Sequence, residues 1–227
     1  MTRKVPNEQW LGQHNQHLVD AGHGHLLHPT VQLAFTAMQQ KAHRDGIDLQ
    51  IVSSFRSFER QLAIFNKKWR GEAILRDANG KVLDNTALLD TDKLHAILTW
   101  SALPGASRHH WGTDLDVFDR ASVHQWSGTF ELIEQEYQPD GPCYLLACWL
   151  EDNMAEFGFF RPFSEHKGGV ACEPWHLSHN ATANDFEQSR NLKAFTSALT
   201  HSDMLGKDTV LPDLPYLYNR YVLNNGS

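Results

Sequence analysis

Two short segments hold the residue types from which a catalytic metal site is made: Ser107-Arg108-His109-His110-Trp111-Gly112-Thr113-Asp114-Leu115-Asp116 and Glu173-Pro174-Trp175-His176. Read as a strand, residues 113–118 put Asp114 and Asp116 on one face and Leu115 and Val117 on the other. Two carboxylates on one face are costly unless a cation or hydrogen bonds neutralise them. His109 stands just before, on a turn that Gly112 permits, so His109 and Asp116 are candidates for two ligands of one metal. His176, in a second extended segment, makes a third. Zinc accepts such a set, with His N at about 2.0–2.1 Å and carboxylate O at about 2.0–2.2 Å, and three protein ligands leave the fourth position for water. Glu173 is close enough to His176 to reach that water as a general base without binding the metal. Asp114 reads as an acceptor holding a ligand histidine, although the choice of liganding carboxylate between Asp114 and Asp116 stays open.

Plainer readings exist for the same residues. His109 and His176 can be ordinary histidines in a turn and a strand, Asp116 a turn cap, and Arg56 a surface partner of Glu59. Ser107, His109 and Asp114 match the types of a serine-hydrolase triad, but no G-x-S-x-G elbow accompanies them. Of 14 histidines, His14, His17, His23, His25 and His28 fall in the N-terminal segment without a repeating ligand spacing. They read as solvated loop residues rather than an accessory metal site. Cys143, Cys148 and Cys172 match no zinc-ribbon or thioredoxin spacing and read as buried thiols.

In order, S-x-H-(six residues)-D and E-x-W-H resemble the LAS metallopeptidases, and within them the VanY-type D-alanyl-D-alanine carboxypeptidases. A third segment, Ser53-Ser54-Phe55-Arg56-Ser57-Phe58-Glu59-Arg60-Gln61, is similar to that family's S-G-Y-R-S-x-x-x-Q. The resemblance spans Ser53 to His176. It implies one zinc ion on His109, Asp116 and His176, Glu173 as general base, and Arg56 as a bidentate clamp for the substrate's terminal carboxylate. It further implies Gln61 and Ser107 hydrogen-bonding the substrate backbone and Trp175 packing beside the site. Asp114 departs from the family's pattern, which has a small residue there.

The elements that must hold these residues are legible by periodicity. Pro29 opens a helix with Val31, Phe35, Met38 and Ala42 on one face, ending before Gly46. Residues 47–53 read as a strand. Ser57 then caps a helix striped by Phe58, Leu62, Phe65 and Trp69. Residues 71–95 read as a polar surface insertion with a hairpin turn at Asn79-Gly80, overlapping a short helix from Lys93 to Trp100. Tyr144 to Phe157 reads as a helix closed by Gly158, Phe159–Phe163 and Val170–Leu177 as extended, and Asn184 to Leu199 as one last helix. The expected fold is α+β, with a central antiparallel sheet carrying the zinc site and helices flanking it; the resemblance implies the LAS, hedgehog-like form of it. The whole of 1–227 reads as a single peptidase domain with core motifs in 53–176 and irregular extensions at 1–29 and 200–227.

Twenty Lys and Arg against 27 Asp and Glu leave a formal charge of −7, which argues against a nucleic-acid partner. No apolar run is long enough to span a membrane. The M-T-R-K-V-P-N-E-Q-W start has no apolar core and reads as no secretory leader, which places the expected location in the cytoplasm. The activity the resemblance implies is removal of a C-terminal D-amino acid, D-alanine, from a peptidoglycan stem peptide or muropeptide. An L,D-carboxypeptidase trimming tetrapeptide to tripeptide, a phage-type endopeptidase and a non-catalytic zinc-binding module are the alternatives. Composition leaves the oligomeric state unknown.

Overall fold

The computed structural model describes residues 4–226; residues 1–3, which open the segment read as no leader, and residue 227 lie outside the described residues. In chain order the principal elements are α1 (Pro29–Arg44), β1 (Leu49–Ser53), α2 (Phe58–Trp69), α3 (Asp90–Trp100), β2 (Asp114–Asp119), α4 (Tyr144–Asn153), β3 (Phe159–Phe160), β4 (His176–His179), α5 (Asn180–Ser189) and α6 (Leu192–His201). The central sheet runs β1-β2-β4-β3, and every pair in it is antiparallel. The α+β expectation holds in this helix-flanked antiparallel sheet.

Register is what the sheet contributes to the site. Asp116 lies opposite His176 and Asp114 opposite Ser178, while Ser53 faces Asp116 beyond a bulge in β1. Side chains alternate along β2. Leu115 and Val117 pack with Leu177 against Val31, Phe35 and Met38 of α1 and Leu146 and Leu150 of α4. Asp114 and Asp116 therefore emerge on the opposite face. A second apolar cluster joins Leu62 and Phe65 of α2, Ile97 and Leu98 of α3, Phe186 of α5 and Phe195 of α6.

Local chemistry fixes several ends. The Ser57 hydroxyl accepts from the Arg60 N–H at 3.1 Å, the expected N-cap of α2. Pro29 opens α1, and α4 ends through a 3₁₀ turn, Met154–Phe157, at Gly158 in the left-handed region. Leu75–Arg76 pairs with Val82–Leu83 around Asn79-Gly80, the expected hairpin.

Other boundaries differ. The segment 170–177 becomes strand only at His176: Pro174 has no N–H to give a ladder, and the Ala171 and Glu173 N–H groups go to Thr99 O and Phe163 O. The single helix read over 184–199 is two, α5 starting at Asn180 and α6 starting after Asn191, whose side chain accepts from the Ala194 N–H at 2.9 Å. The described N-terminal segment is irregular apart from two short strands and one short helix, Asn7–Trp10, whose Trp10 joins the second cluster, but the C-terminal tail is not an irregular extension. The tail forms short helices, Lys207–Val210 and Leu214–Leu217, and a π-helical turn, Tyr218–Val222. Val210, Leu214, Leu217 and Tyr221 recur at helical spacing and are buried, while Pro215 occupies the first turn of a helix. Among the described residues no helix is long and apolar enough to cross a membrane.

Candidate metal centre and active site

Residues 108–111 form one 3₁₀ turn that delivers the first histidine, and it closes on Gly112 at φ 69°. A Cβ there would lie 2.4 Å from Leu18 Cδ2 and 3.2 Å from the His28 amide nitrogen, so the turn requires glycine on two counts. His109 Nδ1 donates to the Ser54 carbonyl at 3.0 Å. This bond fixes the tautomer and turns Nε2 toward Asp116 Oδ2, 3.2 Å away. His176 is set in the opposite sense: its Nε2 donates to Asp114 Oδ1 at 2.9 Å, leaving Nδ1 at 3.3 Å from Asp116 Oδ1 and 3.2 Å from Glu173 Oε2.

His109, Asp116 and His176 thus bring one ligand atom each within 4.8 Å of one another, all buried, and among the described residues they are the one group of three or more His, Cys, Asp or Glu so placed. Asp116 Oδ1 is buried without a hydrogen-bond partner. An orphaned carboxylate oxygen between two oriented imidazoles is what a borderline divalent cation such as zinc completes, so these residues fit the metal. Burial opposes ionisation of Asp116, but the neighbouring His109 and His176 outweigh it and hold the carboxyl far below its ordinary range.

Asp114 stands behind the ligands. Its carboxylate also accepts from Arg108 Nε at 2.6 Å, Thr113 Oγ1 at 2.6 Å and Ser178 Oγ at 3.1 Å. Burial pushes its acidity the wrong way, and the Arg108 charge together with the His176 bond overrides that to keep it anionic. Arg108 in turn pairs with Glu187 of α5, donates to Ser178 Oγ at 2.7 Å and lies over the Trp111 ring. Sequence reading missed Arg108, although a second aspartate on a buried face demanded a cation.

Arg56 lies in the loop between β1 and α2, tied by its N–H to His109 O at 3.0 Å. Its carbonyl accepts from His110 Nδ1, while His110 Nε2 accepts from the Gly105 N–H at 3.0 Å. His110, also missed, is therefore the neutral link between the arginine loop and the metal turn; burial lowers its pKa to about 3. The Arg56 guanidinium donates to Gln61 Oε1 at 2.8 Å and Ser53 Oγ at 3.2 Å. Gln61 is fully buried, and its amide donates to Ala102 O at 2.7 Å and Ser101 Oγ at 3.2 Å. Both amide hydrogens of Gln61 are thus engaged within the protein and its oxygen faces Arg56, so Gln61 orients the guanidinium.

Arg56, Ser107, His109, Asp116, Glu173, Trp175 and His176 line one cleft of about 550 Å³, whose wall also includes Ile74, Leu75, Arg76, Asn79 and Gly80 of the hairpin region. Trp175 stacks on Trp100 with ring centroids 6.5 Å apart. The N-terminal histidines are not simply solvated: His25 Nδ1 lies 3.1 Å from Ser54 Oγ, behind the metal turn. Cys143 is the one buried thiol, pushed up to about 11 by burial, whereas Cys148 is exposed and Cys172 half-buried.

An uncharacterized protein of Haemophilus influenzae is 43% identical over 104 residues, 44% of this chain and 71% of its own. Among solved structures, VanYB in complex with D-alanine-D-alanine superposes with a TM-score of 0.54 at 22% identity, covering 84% of this chain and 92% of that one. A mutant of the vancomycin-resistance D,D-pentapeptidase VanY in complex with Zn(II) gives 0.51 at 22%, covering 79% and 90%. These two likenesses show a shared fold. The family model described as VanY, D-alanyl-D-alanine carboxypeptidase, matches residues 24–182, from before α1 into α5 and through all three motif segments. The chain belongs to the VanY D-alanyl-D-alanine carboxypeptidase family.

Proposed function

We propose that this protein is a zinc carboxypeptidase that removes the C-terminal D-alanine of a peptidoglycan stem peptide. The observation that carries the reading is the convergence, in one cleft, of an inward-facing His109–Asp116–His176 set, a carboxylate beside it and a guanidinium oriented by Gln61 and Ser53. That VanYB was crystallised with D-alanine-D-alanine and a VanY mutant with Zn(II) supports the substrate class and the metal.

His109 Nε2, Asp116 and His176 Nδ1 would hold the zinc, which would supply Lewis acidity for the scissile carbonyl and lower the pKa of water. Glu173 then takes the proton from the attacking water and passes it to the nitrogen of the departing amino acid. Arg56 receives the terminal carboxylate, which positions the last peptide bond rather than an internal one. Asp114 keeps His176 in the tautomer that offers Nδ1, and Ser54 O does the same for His109 Nε2. Ser107 and Trp175 form cleft wall against the peptide.

The test is mass spectrometry of zinc-loaded protein with matched pentapeptide and tetrapeptide muropeptides. The expected result is loss of one alanine from the pentapeptide. Glu173→Ala should lower turnover by about 10²–10⁴-fold while metal analysis still finds one zinc per chain. A fully active Glu173→Ala variant, or no product from either peptide with zinc bound, overturns the reading; cleavage of the tetrapeptide alone replaces the D,D-specificity with L,D.

A further inference from the structure

Gln61, Phe65 and Lys68 share one face of α2 by their spacing. The first two are fully buried. Lys68, half-buried, lines the same cleft as Arg56, Glu173 and His176. Helical side chains lean toward the N-terminus, so the long Lys68 stem carries its ammonium back along α2 toward the Arg56 end. The charges of Arg56 and Glu173 both act on it. Yet among the described residues the Lys68 ammonium has no hydrogen-bond partner and no ion pair.

Apart from Arg56, the other cations of the cleft are occupied. Arg76 is bound to Glu131 at 2.9 Å, Arg108 to Asp114 and Glu187, and Lys167 to Glu165 at 3.3 Å. An ammonium drawn out of water without an anion costs stability, and a ligand that brings the anion removes that cost.

We infer that Lys68 is the second cation of the carboxylate pocket, donating together with Arg56 to the terminal carboxylate of the peptide. The inference rests on the carboxypeptidase reading above, and it makes Lys68 a specificity residue for peptides with a free C-terminus. Burial first, and the Arg56 charge second, push the Lys68 amine down to about 8, with Glu173 opposing them. Since the protonated form binds the carboxylate, affinity falls as pH rises through that value.

The experiment compares a peptide ending in D-alanyl-D-alanine as the free acid and as the C-terminal amide. Binding is read by tryptophan fluorescence in a Glu173→Gln background, since Trp100 and Trp175 line the cleft; kcat and KM are read from released D-alanine in the zinc-loaded protein with Glu173 intact. Lys68→Met should raise Kd and KM for the acid about 10- to 100-fold, change kcat little and leave the weak amide binding where it was. Lys68→Arg should retain binding and abolish the loss of affinity above pH 8. Equal losses on acid and amide, or unaltered acid binding in Lys68→Met, overturn the inference. Lys68-dependent binding of an acid that is never cut overturns the carboxypeptidase reading and leaves the carboxylate pocket standing.

Discussion

A carboxylate buried on a strand needs a cation or hydrogen bonds against it, and removing a cation it relies on leaves an uncompensated charge. Asp114, fully buried, has Arg108 at 2.6 Å, and Arg108 also reaches Glu187 and Ser178. Arg108→Met is expected to cost about 3–5 kcal/mol of stability, read from urea unfolding. Adding Asp114→Asn should recover part of it, because the amide needs no counter-charge; a single variant as stable as the parent contradicts the coupling. At this scale the sequence announces residue types well. The roles of Asp114 and Glu173 were arguable from spacing alone, whereas the partner of Asp114 was not. Arg108 stands six residues away, in a turn whose direction no periodicity reveals. Gln61 likewise occupies its expected motif position, but only packing shows its amide facing Arg56, Ser101 and Ala102.

Among the elements, the turn from Arg108 to Gly112 sets where His109 stands, so its backbone conformation is part of the metal site. Gly112→Ala places a Cβ on a left-handed residue, costing about 1–2 kcal/mol, and drives it against Leu18 and the His28 backbone. The expected outcome is a lower unfolding midpoint together with weaker zinc retention in a chelator competition. Loss of stability with unchanged zinc affinity would separate the turn from the site. Helix starts marked by a local device, Pro29 and Ser57, were readable because cap and helix lie within four residues. The break between α5 and α6 was not, since Phe186 and Phe195 keep an apolar stripe running across it into one cluster.

For the whole molecule, the C-terminal tail is structural. Leu217, 1% exposed, packs with Val210, Leu214 and Tyr221 into the same cluster as α2 and α3, and residues 221–225 reach the cleft wall. Leu217→Ala should cost about 2–5 kcal/mol, measured by chemical denaturation. A change under about 0.5 kcal/mol would show that the tail packs without supporting the fold.

The sequence alone offered the candidates: which side chains could ligate a metal, which carboxylate could serve as a base beside them, and that an antiparallel sheet with helices must bring distant segments together. Those are properties of residue type and short spacing, whereas the guanidinium followed from the family resemblance. Tertiary structure decided what depends on chain segments meeting across long separations. It paired Asp116 with His176 across β2 and β4, gave each histidine its tautomer through Ser54 or Asp114, spent Gln61 on Arg56, and left Lys68 facing the cleft without an anion. A side chain's hydrogen-bond partner is set by backbone direction and packing, and neither is encoded within the few residues around it.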